Sequence, residues 1–396
     1  MVQIIIHRGG HEIGGSAVEI RTAGGRILLD LGLPLDFDLR GTADRERLIK
    51  GGILPDIKGL YEGEEPSFDA VLLSHGHLDH CGLAHFVHPG VPVYLSRGSK
   101  TLMNLSTRFL GRKALQGQQV LFEMNSSFCI ADIKITPYLM DHSAFDATAF
   151  EIFTNGRHII YTGDFRSHGR KAAGFERFMK SITPVPDILI CEGTVLGRTD
   201  ALSKRETDLE HEIVKYLKHT DEVALFQCAS QNIDRIVTFC RAAQRSDRTM
   251  VIDRYTAATL AELYKLGNKL PTTGKHPNLS IHRPKNVQQT LMLVRPSMKK
   301  ALEADDTIKN GVFLYSLWSG YRKEHRQANF EEFLNRRGFS IVEVHTSGHA
   351  DTHTIRLLIE RLNPKQIIPI HTLSPKRFEE FSGRVRIVPN GEVIEC

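Results

Sequence analysis

The stretch Ser74-His75-Gly76-His77-Leu78-Asp79-His80 constrains this chain more than any other, because it packs three imidazoles and a carboxylate into one short loop. It follows the apolar run Ala70-Val71-Leu72-Leu73, which reads as a buried strand, and Gly76 lets the chain turn with no side chain in the way. In an extended loop His75 and His77 point the same way. Asp79 and His80, opening a helix, face a second point nearby. A mixture of nitrogen and oxygen ligands suits zinc or a similar borderline metal, and the geometry suggests two ions rather than one.

Further ligand-type residues follow apolar runs in the same manner. Asp30 ends Ile27-Leu28-Leu29, His142 lies in Met140-Asp141-His142-Ser143, and Asp164 lies in Tyr161-Thr162-Gly163-Asp164-Phe165. Together with the H-x-H-x-D-H loop, these residues resemble in order the motifs of the metallo-β-lactamase fold. The resemblance implies an α/β protein built as an αββα sandwich. It makes Asp30 the residue that organises the metal loop, His142 a metal ligand and Asp164 a carboxylate shared by two metals.

Residues 1–195 alternate short apolar strands with turn signals such as Ala23-Gly24-Gly25 and Thr154-Asn155-Gly156. The pattern then changes. Glu206 to Lys218 reads as a helix, Val223 to Phe226 as a buried strand and Ile233 to Ala243 as a helix. Further strands are expected at Val251 to Asp253 and Val312 to Tyr315, with helices at Ala257 to Lys269 and Phe330 to Arg337. Such alternation predicts an α/β domain with a mainly parallel sheet. It occupies 196–344, inserted into a parent fold that resumes over 345–396.

The insertion resembles the β-CASP domain of nucleic-acid-processing enzymes. Glu192 in Cys191-Glu192-Gly193 matches motif A, His349 in Ser347-Gly348-His349-Ala350 motif B, and His371 in Ile370-His371-Thr372 motif C. The resemblance to ribonuclease J spans the chain. It implies that His75, His77 and His142 hold one Zn2+ and that Asp79, His80 and His371 hold the other, with Asp164 and a hydroxide between them. Mn2+ is the other ion considered. The implied catalytic residues are His349, Glu192 and Asp79: His349 protonates the leaving 3′ oxygen and Glu192 orients its imidazole. The implied products carry 5′-phosphate and 3′-hydroxyl ends, from endonucleolytic or 5′-to-3′ exonucleolytic cutting. His7 and His11 are expected to be structural, and Cys81 to be a packing residue.

Charge agrees with a polyanionic partner. The whole chain is +5, yet residues 196–344 hold 24 Lys and Arg against 18 Asp and Glu, so the basic excess lies in the insertion. Candidate contacts to single-stranded RNA, with DNA as the alternative, are Ser230, Asn232, Arg235, Arg295, Trp318, Tyr321, Arg322, Ser347, Gly348 and Ala350. Two departures from ribonuclease J put a preference for 5′-monophosphate ends in doubt. Asp351 stands where that family has a Ser, and Ala229-Ser230-Gln231-Asn232 is one residue longer than its usual Ala-Ser-Asn. The sequence ends at Cys396 without the separate C-terminal domain that contributes to assembly there, which leaves homo-oligomerisation open.

Hydrophobic residues at 41% and charged residues at 24% are ordinary for a globular protein. No apolar run approaches a bilayer span, and the N-terminus lacks the pattern of a secretory signal. Six dispersed cysteines without a C-x-x-C pair point to a reducing cytoplasm rather than a disulfide framework. A thioester or lactone hydrolase, as many enzymes of this fold are, is the reading the basic insertion argues against. A binding module that has lost catalysis would be expected to lack ligands, whereas here every ligand position is filled.

Overall fold

The computed structural model describes residues 1–37, 39, 44–198 and 202–396. The chain divides into two compact units, one of Met1–Ser167, Lys171–Leu202 and Gly348–Cys396, the other of His168–Arg170 and Ser203–Ser347.

The first unit is an αββα sandwich. One sheet runs in the order Val393–Glu395, Gln3–Arg8, Ala17–Arg21, Arg26–Leu29, Ala70–Leu72, Val93–Leu95, Gln119–Leu121. The other runs Gln366–Ile370, Ile188–Glu192, Arg157–Tyr161, Thr148–Thr154, Ile133–Leu139, Phe128–Ile130. Alternate residues of both sheets meet in one core, Ile4, Val18, Ile27 and Leu72 from the first with Ile135, Ile152, Ile159 and Ile368 from the second. Helices Ala172–Ser181 and Thr352–Leu362 cover the outer face of the second sheet through Phe175, Phe178, Ile355 and Leu358. The Thr154-Asn155-Gly156 signal is a hairpin joining antiparallel strands, with Asn155 and Gly156 at φ 46° and 72°, the conformation that favours Asn-Gly.

Strand direction places the ligand-type residues together. Arg26–Leu29 and Ala70–Leu72 are parallel, as are Arg157–Tyr161, Ile188–Glu192 and Gln366–Ile370. Asp30, the His75 loop, Asp164, Glu192 and His371 all sit at the carboxyl ends of these strands, and His142 follows Ile133–Leu139, which runs the same way. Asp30 and His371 turn out of their strands at φ 61° and 52°. That left-handed conformation is uncommon for residues with a Cβ and persists where the surroundings hold it.

Glu19 is buried on the strand face opposite Val18 and Ile20, and it accepts from Arg26 Nε at 2.8 Å and His7 Nε2 at 2.8 Å. Burial pushes its carboxyl up, but the His7 and Arg26 hydrogen bonds outweigh burial and hold it at about 2. The carboxylate thus stabilises the fold above its ordinary value of 4.5, and the gain is lost as pH falls towards 2. Its size is on the order of 3 kcal/mol. Glu19→Gln is therefore expected to unfold more readily than wild type at pH 6, with the gap between their denaturation midpoints closing by pH 2 to 3. An equal gap at both pH values would dismiss the pairing.

The second unit is α/β. Its six strands are all parallel, in the order Leu279–Ser280, Thr249–Val251, Thr290–Leu293, Ala224–Gln227, Gly311–Tyr315, Phe339–Glu343. Helices Glu206–Lys218, Ile233–Arg245, Arg254–Lys265 and His325–Arg336 join them, and one core contains Leu225, Phe313, Phe330 and Phe339. Three of these strands, Leu279–Ser280, Thr290–Leu293 and Phe339–Glu343, are absent from the sequence reading, and the helix expected at Phe330 begins at His325. Thr290–Leu293 is buried throughout and so shows no alternation, and the other two are edge strands, one of two residues and one half-exposed, with too little pattern to mark them. No helix among the described residues is long and apolar enough to cross a membrane.

Candidate metal centre

Nine ligand-type side chains from six separate chain segments cluster in the first unit. They form three sets, within each of which the ligand atoms lie within 4.8 Å of one another: His75, His77 and His142; Asp79, His80, Asp164 and His371; and Asp164, Glu192, His349 and His371, the last two sharing Asp164 and His371. Asp164 Oδ2 is 3.2 Å from His80 Nε2, 3.5 Å from His349 Nδ1 and 3.8 Å from both His75 Nε2 and His142 Nε2. It lies within 4 Å of rings from both the His75, His77, His142 set and the His80-containing set.

Hydrogen bonds orient these imidazoles. His80 Nδ1 donates to Asp30 Oδ2 at 2.7 Å, and His142 Nδ1 donates to the Gly348 carbonyl at 2.5 Å. Ser74 Oγ donates to Asp30 at 2.7 Å, so it accepts from His75 Nδ1 at 3.0 Å. Thr194 Oγ1 donates to the His371 carbonyl and accepts from His371 Nδ1 at 2.8 Å. His75, His80 and His142 therefore spend the Nδ1 proton on an outer partner and turn Nε2 inward, the arrangement in which histidine binds metal, while His371 Nε2 faces Asp79 Oδ2 at 3.3 Å. His77 differs, with its Nδ1 3.2 Å from His142 Nε2.

The charges suit cations. Burial pushes His75 and His142 well below the ordinary imidazole range and His77 down to about 4, so these three rings are neutral ligands. Burial also opposes charge on Asp164, but His371 and His80 outweigh it and keep the carboxyl ionised, and Asp79 is likewise held low by its hydrogen bond from His371. His75 Nε2, His80 Nε2 and both oxygens of Asp164 are buried without a hydrogen bond. Four such atoms converging on one point would be costly in a structure that placed nothing there. The donor set fits a metal centre.

His349 stands beside it. Its Nδ1 lies 3.2 Å from Glu192 Oε1, and Glu192 also accepts from the amides of Phe165, Thr194 and Ala350 at 3.2, 3.0 and 3.4 Å. Burial disfavours charge on His349, but Glu192 and Asp164 outweigh it and raise the imidazole to about 9.

The residues that hold the centre from behind were not evident in the sequence. Tyr161 Oη donates to Asp30 Oδ2 at 2.6 Å, alongside His80 and Ser74. Its place at a strand end, three residues before Asp164, was the available signal. Tyr161→Phe is expected to weaken metal affinity about 10-fold, read by chelator competition. Unchanged affinity would show that Asp30 needs only its other donors.

The expected substrate contacts fall into two groups. In the first unit, Gly348 gives its carbonyl to His142, and Ala350 is buried with its amide on Glu192. In the second, Trp318 and Tyr321 are 46% and 38% exposed and meet edge to face at 5.4 Å. Arg295 binds Asp253 at 2.9 Å and the Ser230 hydroxyl, and the Ser347 carbonyl accepts from His168. Three of the expected contacts have internal work instead. Arg235 is fully buried against Glu206, Ser316 and the Thr346 carbonyl, Asn232 caps helix Ile233–Arg245, and Arg322 pairs with Glu331 at 2.7 Å. Asp351 likewise caps helix Thr352–Leu362 through the Thr354 amide at 2.9 Å. Its carboxylate takes a helix N-terminal donor that an anion would otherwise use. His7 holds Glu19, His11 is exposed and Cys81 is buried in the core.

A family model described as a beta-lactamase superfamily domain matches residues 58–219, and one described as a Zn-dependent metallo-hydrolase RNA specificity domain matches residues 337–382. The chain is 27% identical over 239 residues to an RNase J-like protein of Methanocaldococcus jannaschii, covering 56% of this chain and 49% of that protein. It is 23% identical over 437 residues to Ribonuclease J2 of Bacillus subtilis, covering 100% of this chain and 75% of that protein. The chain thus spans between about half and three quarters of the length of these relatives. A protein of unknown function from Enterococcus faecalis has the same fold, with a TM-score of 0.84, 24% identity and 99% of each chain covered.

Proposed function

We propose that the chain is a ribonuclease J-like protein of the metallo-β-lactamase fold and a metal-dependent ribonuclease whose centre holds two Zn2+ ions. The reading rests on the convergence of the His75, His77, His142 and the Asp79, His80, His371 sets on Asp164, whose two buried oxygens make no hydrogen bond. An imidazole-rich set with few carboxylates favours zinc, with manganese as the other ion. Bound there, the ions would supply Lewis acidity, lowering the pKa of a water and neutralising charge on the scissile phosphate.

The chain's own residues supply the rest. The Nδ1 partners Asp30, Ser74, Thr194 and Gly348 keep the ligand rings in one tautomer. Asp79 positions His371, 3.3 Å from its Nε2. His349 delivers a proton to the departing 3′ oxygen, and Glu192 keeps that imidazole charged and oriented. The products then carry 5′-phosphate and 3′-hydroxyl ends. We read residues 196–344 as the β-CASP insertion and 1–195 with 345–396 as the catalytic domain, and Trp318, Tyr321 and Arg295 as contacts to single-stranded substrate. Six free cysteines support a cytoplasmic location.

The test is cleavage of end-labelled single-stranded RNA and DNA of one sequence, bearing 5′-hydroxyl, monophosphate or triphosphate ends, with metal content measured on the same protein. RNA cut by the wild type and not by His77→Ala, with two zinc ions per chain, is the expected result. The product ladder separates endonucleolytic from exonucleolytic cutting, and equal cutting of DNA would widen the substrate class. Full metal loading without cutting of either strand would overturn the nuclease reading.

A further inference from the structure

We propose that a cavity at the carboxyl ends of the second unit's central strands binds a single nucleobase of the RNA, with Tyr321 as its stacking face and the Gln227 amide reading its edge. This rests on the ribonuclease reading and adds sequence preference to it. The cavity measures about 280 Å³, and its lining includes Gln227, Arg295, Leu317, Tyr321, Glu324, Arg326 and Gln327. That is just under the roughly 300–1,000 Å³ of small-ligand pockets, and suits a group the size of one nucleotide. Its place follows from topology. Gln227 ends Ala224–Gln227, Arg295 follows Thr290–Leu293, and Leu317 follows Gly311–Tyr315, three adjacent parallel strands. The chain moves from Ala224–Gln227 across Thr290–Leu293 to Thr249–Val251, then returns to the other side at Gly311–Tyr315. Open α/β sheets leave a ligand crevice at such a switch point.

A chain of hydrogen bonds fixes the polarity of the floor. Arg322 grips Glu331 with Nε at 3.1 Å and Nη2 at 2.7 Å, so that carboxylate only accepts. Gln327 must turn its amide nitrogen towards Glu331, at 3.1 Å. The Gln327 oxygen then accepts from Gln227 Nε2 at 2.9 Å, and its nitrogen also donates to Gln227 Oε1 at 3.2 Å. Both protons of Gln327 Nε2 are used. Gln227 retains one N–H and one oxygen lone pair, and the Gln327 oxygen retains a lone pair. Two acceptors and one donor favour a base whose edge carries an amino group, guanine, adenine or cytosine, over uracil, which presents a single N–H between two acceptors. Tyr321, 38% exposed, contributes an aromatic ring to the lining, and Arg326, which makes no ion pair among the described residues, offers a cation to the adjoining phosphate.

The experiment places 2-aminopurine at successive positions of a cleavage-resistant phosphorothioate RNA and follows its fluorescence on binding to the full, metal-loaded chain. Quenching confined to one position, lost in Tyr321→Leu together with about 5- to 100-fold of affinity, is the expected result. In cleavable RNA, guanine, adenine or cytosine at that position is cut about tenfold faster than uracil by the wild type, and Gln227→Leu brings the ratio near one. Equal quenching at every position, or a ratio near one in the wild type while RNA is still cut, overturns the base pocket and leaves the ribonuclease standing. RNA neither bound nor cut overturns both.

Discussion

Asp164→Asn is expected to lower RNA cleavage about 10³- to 10⁴-fold and to release at least one of the two proposed ions from the centre. The side chain is buried, keeps its shape as Asn, and loses only its charge and one acceptor. The histidine sets converge on that charge, with His80, His75, His142 and His371 at 3.2, 3.8, 3.8 and 3.9 Å. An amide also brings an NH2 group towards imidazole nitrogens that are themselves bare. Cation affinity and the alignment of both halves therefore fall together. Metal analysis of the purified variant, set beside its cleavage rate, checks this. Two retained ions and more than a tenth of the activity would remove Asp164 from the shared position.

The centre was legible in the sequence because its chemistry is concentrated. Four ligand-type residues occupy His75 to His80, and His142, Asp164, Glu192 and His371 stand at or shortly after the ends of apolar strands, whereas His349 lies in the loop before Thr352–Leu362. The αββα layers were legible for the same reason. What the sequence did not disclose was the support. Tyr161, Thr194 and the Gly348 carbonyl fix imidazole tautomers through groups that are common everywhere and carry no mark in a sequence. Gln227 and Gln327 are a hundred residues apart and meet only in the fold.

Charge misled in a consistent direction. Arg235 and Arg322 count towards the basic excess that suggests a phosphate-binding surface, yet both spend their charge on Glu206 and Glu331. Composition counts an arginine whether it faces water or a carboxylate, and only burial separates the two. The free cations of the insertion are consequently fewer than its 24 Lys and Arg. Exposed Arg326, rather than Arg235, is the one to test by salt dependence of RNA binding.

His349→Ala is expected to slow cleavage about 10²- to 10⁴-fold while leaving metal content intact, because the ring donates a proton and holds no ion in the proposed mechanism. Loss of rate alone would not distinguish a proton donor from a residue that merely packs at the centre. The leaving group separates them. A 3′ oxygen departs as a strongly basic alkoxide unless it is protonated, whereas sulfur in its place departs as a thiolate, whose conjugate acid has a pKa near about 8.5. RNA with a 3′-bridging sulfur should therefore be cut by His349→Ala at a rate close to that of wild type. Asp164→Asn should remain slow on both substrates, since its defect precedes departure. Glu192→Gln should resemble His349→Ala with a smaller loss, as the imidazole remains but its charge is no longer supported across 3.2 Å. An equal defect of His349→Ala on oxygen and sulfur substrates would place His349 outside the proton transfer and return the role of acid to a water.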